Sequence, residues 1–486
     1  MQIKFNLTTF KILAGPAAAL SILLFTDLQP GNPLVTRMAA LTVWMAIWWL
    51  TEAVHMAVTS LIPVFAFPIL GIANATTTSA QYMDQIIFLF IGGFIISFAL
   101  ERWNLHQRMA YRILSLTGSK PSRILWGIML TTFLISMWIS NTATTMMLFP
   151  AVLALANQLE QLNYKASNTM SPALLLGLAY AATIGGMTTL VGTPPNMIFY
   201  RQYLHDYPMN GDLNFTSWFI MALPVTLLLL ACCYFLLRLF FLRKLDGLII
   251  DRAYFPEQYR QLGPLAREEK IVLNIFILTA ILWFTRSDIV IGSLHLKGWS
   301  SYIPFGEYIQ DSTVAIFMAF ILFLLPAGKD NKDRIINWSD VTKIPFGIIL
   351  LFGAGFAIAK GFELSGLSEW MSEKLIFLKG ANKFVMILVI CLIVTVISEF
   401  ASNVASIQLA LPILISLNKD LNLHPLLLMV PATLAASLGF MLPIATAPNT
   451  IVFGSGKIPI KKMSRIGFIL DVAGILVISV VIYLFF

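Results

Sequence analysis

Apolar runs of helix length alternate with short polar connections along the whole chain. About 20 apolar residues in a helix cross the hydrocarbon core of a bilayer, so the pattern predicts an all-α, polytopic membrane protein. The predicted segments are 10–27, 34–52, 54–72, 83–101, 122–140 with 142–157, 172–191 with 196–208, 215–242, 269–285, 312–327, 345–363, 382–400 with 403–418, 425–443 with 449–456, and 464–485.

Two of these segments break at a Ser-Asn motif, in the runs 122–157 and 382–418. Each half has about 17 residues, which is marginal for a full crossing. Non-helical backbone at membrane depth is tolerated only where it lines a cavity inside the protein. We therefore predict two re-entrant helical hairpins in addition to about 11 transmembrane helices.

Two further segments break at prolines, at Pro194-Pro195 and at Pro448. Proline removes a backbone donor and clashes with the preceding helical turn. Each segment is therefore predicted to be a crossing helix that unwinds near its middle, at 192–196 and at 445–449.

These breaks belong to an internal repeat. Ser140 returns as Ser402 at an offset of 262 residues (402 − 140), and Thr193 returns as Thr446 at an offset of 253 residues (446 − 193). A repeat with Gly- and Pro-interrupted segments at matching places in an apolar chain points to the binding site of a secondary transporter.

The repeat also predicts how the chain is divided. If the hairpins do not cross, each half has an odd number of crossings after the first helix, so the halves are inverted relative to each other. We predict an N-terminal segment with an uncleaved first helix (1–33), a first repeat (34–242), a cytoplasmic connection (243–268) and a second repeat (269–486).

Composition and charge agree with this map. The chain is 58% hydrophobic and only 12% charged, whereas a soluble domain has about 25% charged residues. With the N-terminus in the cytoplasm, 23 of the 32 lysines and arginines lie on the inner side, as the positive-inside rule requires. The net charge of +8 thus indicates orientation in the plasma (inner) membrane rather than nucleic-acid binding. One discordant loop is predicted to be an interfacial helix, Glu363–Phe377.

The repeated motifs supply hydroxyl and amide groups and contain no Lys, Arg or His. These groups belong to Ser140, Asn141, Thr142, Thr193, Asn196, Ser402, Asn403, Thr446 and Asn449. Oxygen-only ligands suit hard cations such as Na⁺, and helix N-termini at the hairpin tips favour anions. Each ion lowers the cost of desolvating the other, which predicts a carrier that couples a polar anion to sodium.

Two carboxylates in apolar surroundings, Glu52 and Glu399, are functional candidates because an intramembrane acid is costly. Glu399 lies just before the second tip in the sequence and could support a cation site there. A structural role, hydrogen-bonded within the bundle, remains open for both.

The paired Ser-Asn tips, the paired Thr-Pro turns and the runs WLTEAVH (49–55) and SMWISNT (136–142) together resemble the divalent anion/sodium symporter family. These are the INDY-type carriers of succinate, malate, fumarate and citrate, and the resemblance covers nearly the whole chain. It implies a homodimer that works by an elevator motion. The scaffold domain and the transport domain would each contain segments of both repeats. Na⁺ would be the coupling ion, and no cofactor would be bound.

The resemblance also implies site residues. The first sodium site would use Ser136, Ser140, Asn141 and the backbone of Gly192. The second would use Ser398, Ala401, Asn403 and the backbone of Ala445. The substrate would meet Asn141, Thr142, Thr193, Asn403, Val404 and Thr446.

Two positions depart from the family pattern. Val404 replaces the Thr of the second Ser-Asn-Thr motif and removes a hydroxyl donor, which bears on substrate preference. Ala447 replaces the first proline of the second turn, which bears on the rigidity of that turn.

We therefore predict a sodium-coupled symporter of C4-dicarboxylates. A sodium-independent dicarboxylate or citrate exchanger of the same fold is the alternative, since the family contains such exchangers. An intramembrane enzyme is disfavoured because the chain has no G-x-S-x-G, HExxH or convincing Asp pair, so no catalytic residue is expected. A channel is disfavoured because hairpins that open to opposite faces suit alternating access.

Overall fold

The computed structural model describes residues 7–116, 118, 120–162, 164–208, 213–243, 254–291, 294–328, 333–342, 344–375 and 380–486. Residues 244–253 of the predicted connection lie outside this part. So do several cations of the charge pattern, namely Lys4, Lys244, Arg252, Lys329, Lys332, Lys343, Lys379 and the side chain of Lys165.

The described residues are almost entirely helical. The helices are α1 (Leu7–Phe25), α2 (Pro33–Thr51), α3 (Met56–Thr59), α4 (Ile62–Leu70), α5 (Ala75–Ala80), α6 (Gln85–Arg102), α7 (Leu105–Ser115), α8 (Pro121–Ser136), α9 (Asn141–Leu162), α10 (Tyr164–Gly186), α11 (Pro194–Asp206), α12 (Phe215–Leu237), α13 (Tyr254–Gln261), α14 (Arg267–Phe284), α15 (Asp311–Leu324), α16 (Trp338–Val341), α17 (Phe346–Ser365), α18 (Leu367–Leu375), α19 (Lys383–Phe400), α20 (Asn403–Asp420), α21 (Leu426–Ala435), α22 (Ala447–Phe453) and α23 (Ile460–Phe485). Two small antiparallel hairpins, β1 (Ile289–Ile291) with β2 (Leu294–Leu296) and β3 (Pro326–Ala327) with β4 (Asp333–Arg334), lie in connections.

Within the described residues, eight helices are long and apolar enough to cross a membrane. They are Thr8–Phe25, Pro33–Thr51, Ala75–Arg102, Thr169–Gly186, Phe215–Leu242, Phe346–Ser365, Lys383–Phe400 and Ile460–Phe485. On α19, the side chains of Val385, Val389, Leu392 and Val396 are between 42% and 51% exposed. Such an apolar outer face suits contact with lipid. The predicted all-α membrane class is therefore confirmed.

The helices break close to the predicted motifs, but both unwound turns lie earlier than predicted. The first spans 187–193 instead of 192–196, and the second spans 436–446 instead of 445–449. The prolines begin the following helices α11 and α22, because the first turn of a helix tolerates a residue without an N–H. The first hairpin has α8 and α9 as its arms, with residues 137–140 between them, and the second has α19 and α20, with residues 401–402 between them. The first unwound turn separates α10 from α11, and the second separates α21 from α22.

Two further predicted segments have different bounds. The run 54–72 is divided into α3 and α4, because Pro63 in the first turn of α4 cannot donate a hydrogen bond back to α3. The predicted interfacial helix Glu363–Phe377 begins instead at Leu367. Gly366 adopts φ +77°, which ends α17 with a left-handed residue.

Packing around the breaks follows the repeat. Both arms of the first hairpin pack on α10, and both arms of the second pack on α21. The halves also interlock, because α11 packs on α20 of the second hairpin and α22 packs on α9 of the first. This arrangement brings all four breaks into the interior of the molecule.

Candidate functional site

One cavity of about 880 Å³ is lined by both hairpin tips and both unwound turns. It collects ten of the twelve site residues implied by the family resemblance. These are Ser140, Asn141, Thr142, Gly192, Thr193, Ala401, Asn403, Val404, Ala445 and Thr446. Segments that are about 260 residues apart in sequence thus form one site.

The other two site residues, Ser136 and Ser398, lie behind the cavity wall and are fully buried. The Ser136 hydroxyl donates to Asn141 Oδ1 at 2.7 Å. The Ser398 hydroxyl lies 2.9 Å from Asn403 Oδ1 and 2.6 Å from the carbonyl oxygen of Ala436. Each serine therefore orients the asparagine of its own hairpin, and each pair brings two neutral oxygens together.

Glycines let the first unwound turn lie directly on the first tip. A Cβ atom at Gly186 would be 2.2 Å from Asn141 Oδ1, and one at Gly192 would be 2.5 Å from the carbonyl oxygen of Gly186. Only the absence of a side chain permits this approach. The Asn141 carboxamide consequently packs directly against Gly186 at the start of the first unwound turn.

Two buried asparagines, Asn196 and Asn449, hold the unwound turns in shape. Asn196 Nδ2 donates to the carbonyl oxygens of Gly186 and Thr189 at 3.2 and 2.7 Å. Asn449 Nδ2 donates to those of Gly439 and Leu442 at 2.9 and 3.1 Å. Asn449, Gly439 and Leu442 each lie 253 residues after their counterparts Asn196, Gly186 and Thr189. The motifs contain both asparagines, but their role as braces only becomes visible in the structure.

Four helix N-termini meet at the cavity, those of α9, α11, α20 and α22. The first backbone N–H groups of a helix have no intrahelical acceptor, and the helix dipole is positive at that end. Prolines occupy the first turns of α11 and α22 and lack an N–H. The hairpin arms α9 and α20 are therefore the richer sources of anion donors.

The candidate acid Glu399 braces the second unwound turn. Its carboxylate is buried and accepts the backbone N–H groups of Met441 at 2.9 Å and Leu442 at 3.2 Å. At the equivalent junction of the first half, the Thr189 hydroxyl donates to the carbonyl oxygen of Met137. The same tip-to-turn connection is thus made by different groups in the two halves, and this contact is structural.

Another part of the cavity wall comes from α1, α2 and α6, and its Lys11 was not marked by any motif. It includes Lys11 of α1, Trp49 of α2, Glu52 at the end of α2, and Phe90 and Phe94 of α6. Glu52 ends α2 in the left-handed region with φ +46° and is exposed to the cavity. Among the described residues, no group of three or more His, Cys, Asp or Glu side chains is placed to hold a metal ion.

The described part of the chain is nearly all helical and has eight candidate spans, and its hairpin tips and unwound turns line one cavity. This is the architecture of a membrane transporter. The family model described as "Sodium:sulfate symporter transmembrane region" matches residues 11–486. The chain belongs to this family, which confirms the resemblance drawn from its motifs.

Relatives with a printed function are similar over nearly their whole length. The sodium-dependent dicarboxylate transporter SdcS of Staphylococcus saprophyticus is 40% identical over 482 residues, which cover 97% of this chain and 90% of the relative. SdcS of Staphylococcus aureus is 38% identical over 479 residues, with the same coverage of both chains.

Two solved structures share the fold at 12% identity. MtrF of Neisseria gonorrhoeae, from a class of antimetabolite efflux pumps, aligns with a TM-score of 0.59 over 96% of both chains. The YdaH transporter of Alcanivorax borkumensis aligns with a TM-score of 0.55 over 92% of this chain and 97% of its own. At this identity the likeness concerns the fold alone.

Proposed function

We propose that this protein is a sodium-coupled symporter of C4-dicarboxylates such as succinate, malate and fumarate. The observation that carries the proposal is the convergence of two Ser-Asn tips and two unwound turns on one cavity. The names of the SdcS relatives support both the coupling ion and the class of cargo.

Two sodium ions bind in the proposal, one in each half. The first ion uses Ser136, Ser140, Asn141 and the backbone of Gly192, and the second uses Ser398, Ala401, Asn403 and the backbone of Ala445. The paired hydroxyl and carboxamide oxygens at 2.7 and 2.9 Å support these sets, because Na⁺ is a hard cation that favours oxygen ligands.

The dicarboxylate binds between the tips. Its carboxylates meet the N-termini of α9 and α20 and the polar groups of Asn141, Thr142, Thr193, Asn403 and Thr446, with Val404 beside them. These helix ends favour negative charge, and the nearby sodium ions offset the remaining cost of desolvation.

The proposed architecture has about 11 crossings, two inverted repeats (34–242 and 269–486) and an N-terminus in the cytoplasm. Matching breaks and the interlocked packing of α11 with α20 and α22 with α9 support the repeats. Alternating access by an elevator motion and assembly as a homodimer are proposed from the family. No catalytic residue is assigned.

The test is uptake of radiolabelled succinate into empty proteoliposomes, with an inward sodium gradient or with potassium in its place. Uptake that depends on the sodium gradient is the expected result. Uptake that ignores sodium and requires vesicles preloaded with dicarboxylate would contradict symport and identify an exchanger instead.

A further inference from the structure

Two ionisable side chains line the cavity within the described residues, Lys11 and Glu52. All the other lining side chains there are neutral, including those of the tips and turns. A dicarboxylate dianion that enters this cavity therefore meets a single cationic side chain among the described residues of its walls, and that side chain belongs to α1 rather than to the hairpin tips.

We infer that Lys11 is a capture residue, which draws the dianionic cargo from bulk solution into the mouth of the cavity. This inference rests on the proposed function. Lys11 acts on the cargo before the cargo reaches the tips. It is neither a sodium ligand nor one of the groups that bind the carboxylates of the cargo between the tips.

The structure holds the Lys11 ammonium at the end of α2. Lys11 Nζ donates to the carbonyl oxygen of Thr51 at 3.1 Å, in the last turn of α2, where helix carbonyls lack an intrahelical partner. An ammonium has three N–H donors, so two remain for solvent or cargo. Lys11 is half-buried and the adjoining Glu52 is exposed, whereas Asn196 and Asn449 at the turns are fully buried.

The position of Lys11 also assigns a side of the membrane. It lies in the second turn of α1, beside the end of α2, and Pro345 before α17 also lines the cavity. Given the proposed cytoplasmic N-terminus, the start of α1, the end of α2 and the start of α17 all lie on the cytoplasmic side. Capture by Lys11 should therefore act on cytoplasmic cargo.

A structural role for Lys11 as a cation that caps α2 makes a different prediction. Loss of a cap lowers thermal stability and does not depend on which side the cargo comes from. Capture by a charge acts at a distance, weakens as salt shortens the Debye length, and is twice as strong for a dianion as for a monoanion.

The experiment compares wild-type protein with Lys11→Met and Lys11→Arg in inside-out and right-side-out membrane vesicles from a host without dicarboxylate carriers. Lys461→Met is the matched control, because Lys461 is an exposed lysine at the start of α23 that does not line the cavity. Initial rates of sodium-driven succinate uptake are measured at low and high ionic strength, and thermal unfolding reports on folding.

For Lys11→Met, the KM for succinate in inside-out vesicles should rise about three- to tenfold at low ionic strength and less than about twofold at high ionic strength. The maximal rate and the KM in right-side-out vesicles should stay close to wild type. Lys11→Arg and Lys461→Met should match wild type, and Glu52→Gln should lower the KM because it removes a repelling carboxylate.

A Lys11→Met KM equal to that of wild type would overturn the inference, as would an increase that is the same on both sides or at both salt concentrations. Wild-type vesicles without sodium-driven uptake would instead contradict the proposed function itself. The two failures are therefore distinguishable in one set of measurements.

Discussion

At the residue scale, the site depends on one contact that is made twice. A serine at the end of one hairpin arm lies against an asparagine five positions later, at the start of the other arm, in Ser136–Asn141 and in Ser398–Asn403. Both hydroxyls are buried, so each carboxamide is held by a group that solvent cannot displace. Each pair is therefore preorganised, and it brings two oxygens together where the proposed sodium sites lie.

Replacing either asparagine by alanine should disable sodium coupling. Asn141→Ala and Asn403→Ala each remove a carboxamide oxygen from one proposed sodium site, so apparent sodium affinity should fall about 10- to 100-fold. Succinate uptake into proteoliposomes over a range of sodium concentrations measures this. Asn274→Ala, which changes an exposed asparagine on α14 that does not line the cavity, is the control and should behave like wild type. Normal sodium dependence in both cavity variants would refute the assigned sites.

Val404 is expected to tune the choice of cargo. It lines the cavity at the start of α20 and is close in shape to threonine, so Val404→Thr adds one hydroxyl without changing volume greatly. A new hydrogen bond contributes about 1 kcal/mol, or about fivefold in affinity. We expect the KM ratio of malate to succinate to change by about that factor, with sodium dependence unchanged. An unaltered ratio in competition assays would show that this side chain does not meet the cargo.

At the scale of elements, each hairpin is tied to the unwound turn of its own half by a contact that differs between the halves. Glu399 accepts two backbone N–H groups in the second half, whereas Thr189 donates one hydrogen bond to Met137 in the first. A carboxylate that accepts two donors is a stronger brace than a single neutral hydroxyl. The second half, which has Ala447 in place of a proline, is thus the half with the stronger brace.

This difference predicts unequal losses of stability. Glu399→Ala leaves two N–H groups without their acceptor and should lower the free energy of unfolding by about 2–4 kcal/mol. Thr189→Val removes one neutral hydrogen bond and should cost about 1 kcal/mol. Thermal unfolding in detergent, with Glu399→Gln as an intermediate variant, gives the order. Equal losses for Glu399→Ala and Thr189→Val would mean that the carboxylate is not the brace.

The breaks in the helices could be predicted from the sequence because they depend on the chemistry of the residues at the breaks themselves. Proline and the Ser-Asn motifs interrupt helices through their own backbone and side-chain properties, so Pro194, Ser140 and Ser402 marked the site without any knowledge of packing. The position of Lys11 could not be predicted in this way, since its contact with Thr51 joins residues 40 positions apart on two different helices. The role of Glu399 also depended on a contact across the sequence, to a turn about 42 residues away.

At the scale of the whole molecule, the two halves form the cavity jointly. Each unwound helix packs on the hairpin of the other half, as α11 on α20 and α22 on α9. A displacement of one hairpin therefore moves parts of both halves together. This coupling suits a mechanism in which tips, turns and cargo travel as one body past the wall that carries Lys11 and Glu52.

Inverted repeats make a prediction about the membrane sides of the two hairpins. The first hairpin begins after Lys120 and should open to the cytoplasm, whereas the second begins after Ala381 and should open to the outside. Both residues are exposed and each lies just before a hairpin arm. With Cys232, Cys233 and Cys391 replaced by serine, Lys120→Cys and Ala381→Cys each introduce a single labelling site.

In intact cells, a membrane-impermeant maleimide should label the Ala381→Cys variant at once and the Lys120→Cys variant only after permeabilisation. The background without cysteine controls for non-specific labelling, and sodium-driven succinate uptake confirms that each variant is functional. Labelling of both variants from the same side would mean that the halves are parallel. The charge pattern predicts opposite sides because Arg102, Arg108, Arg112 and Arg123 lie close to the start of the first hairpin in the sequence. The positive-inside rule places such a cluster in the cytoplasm.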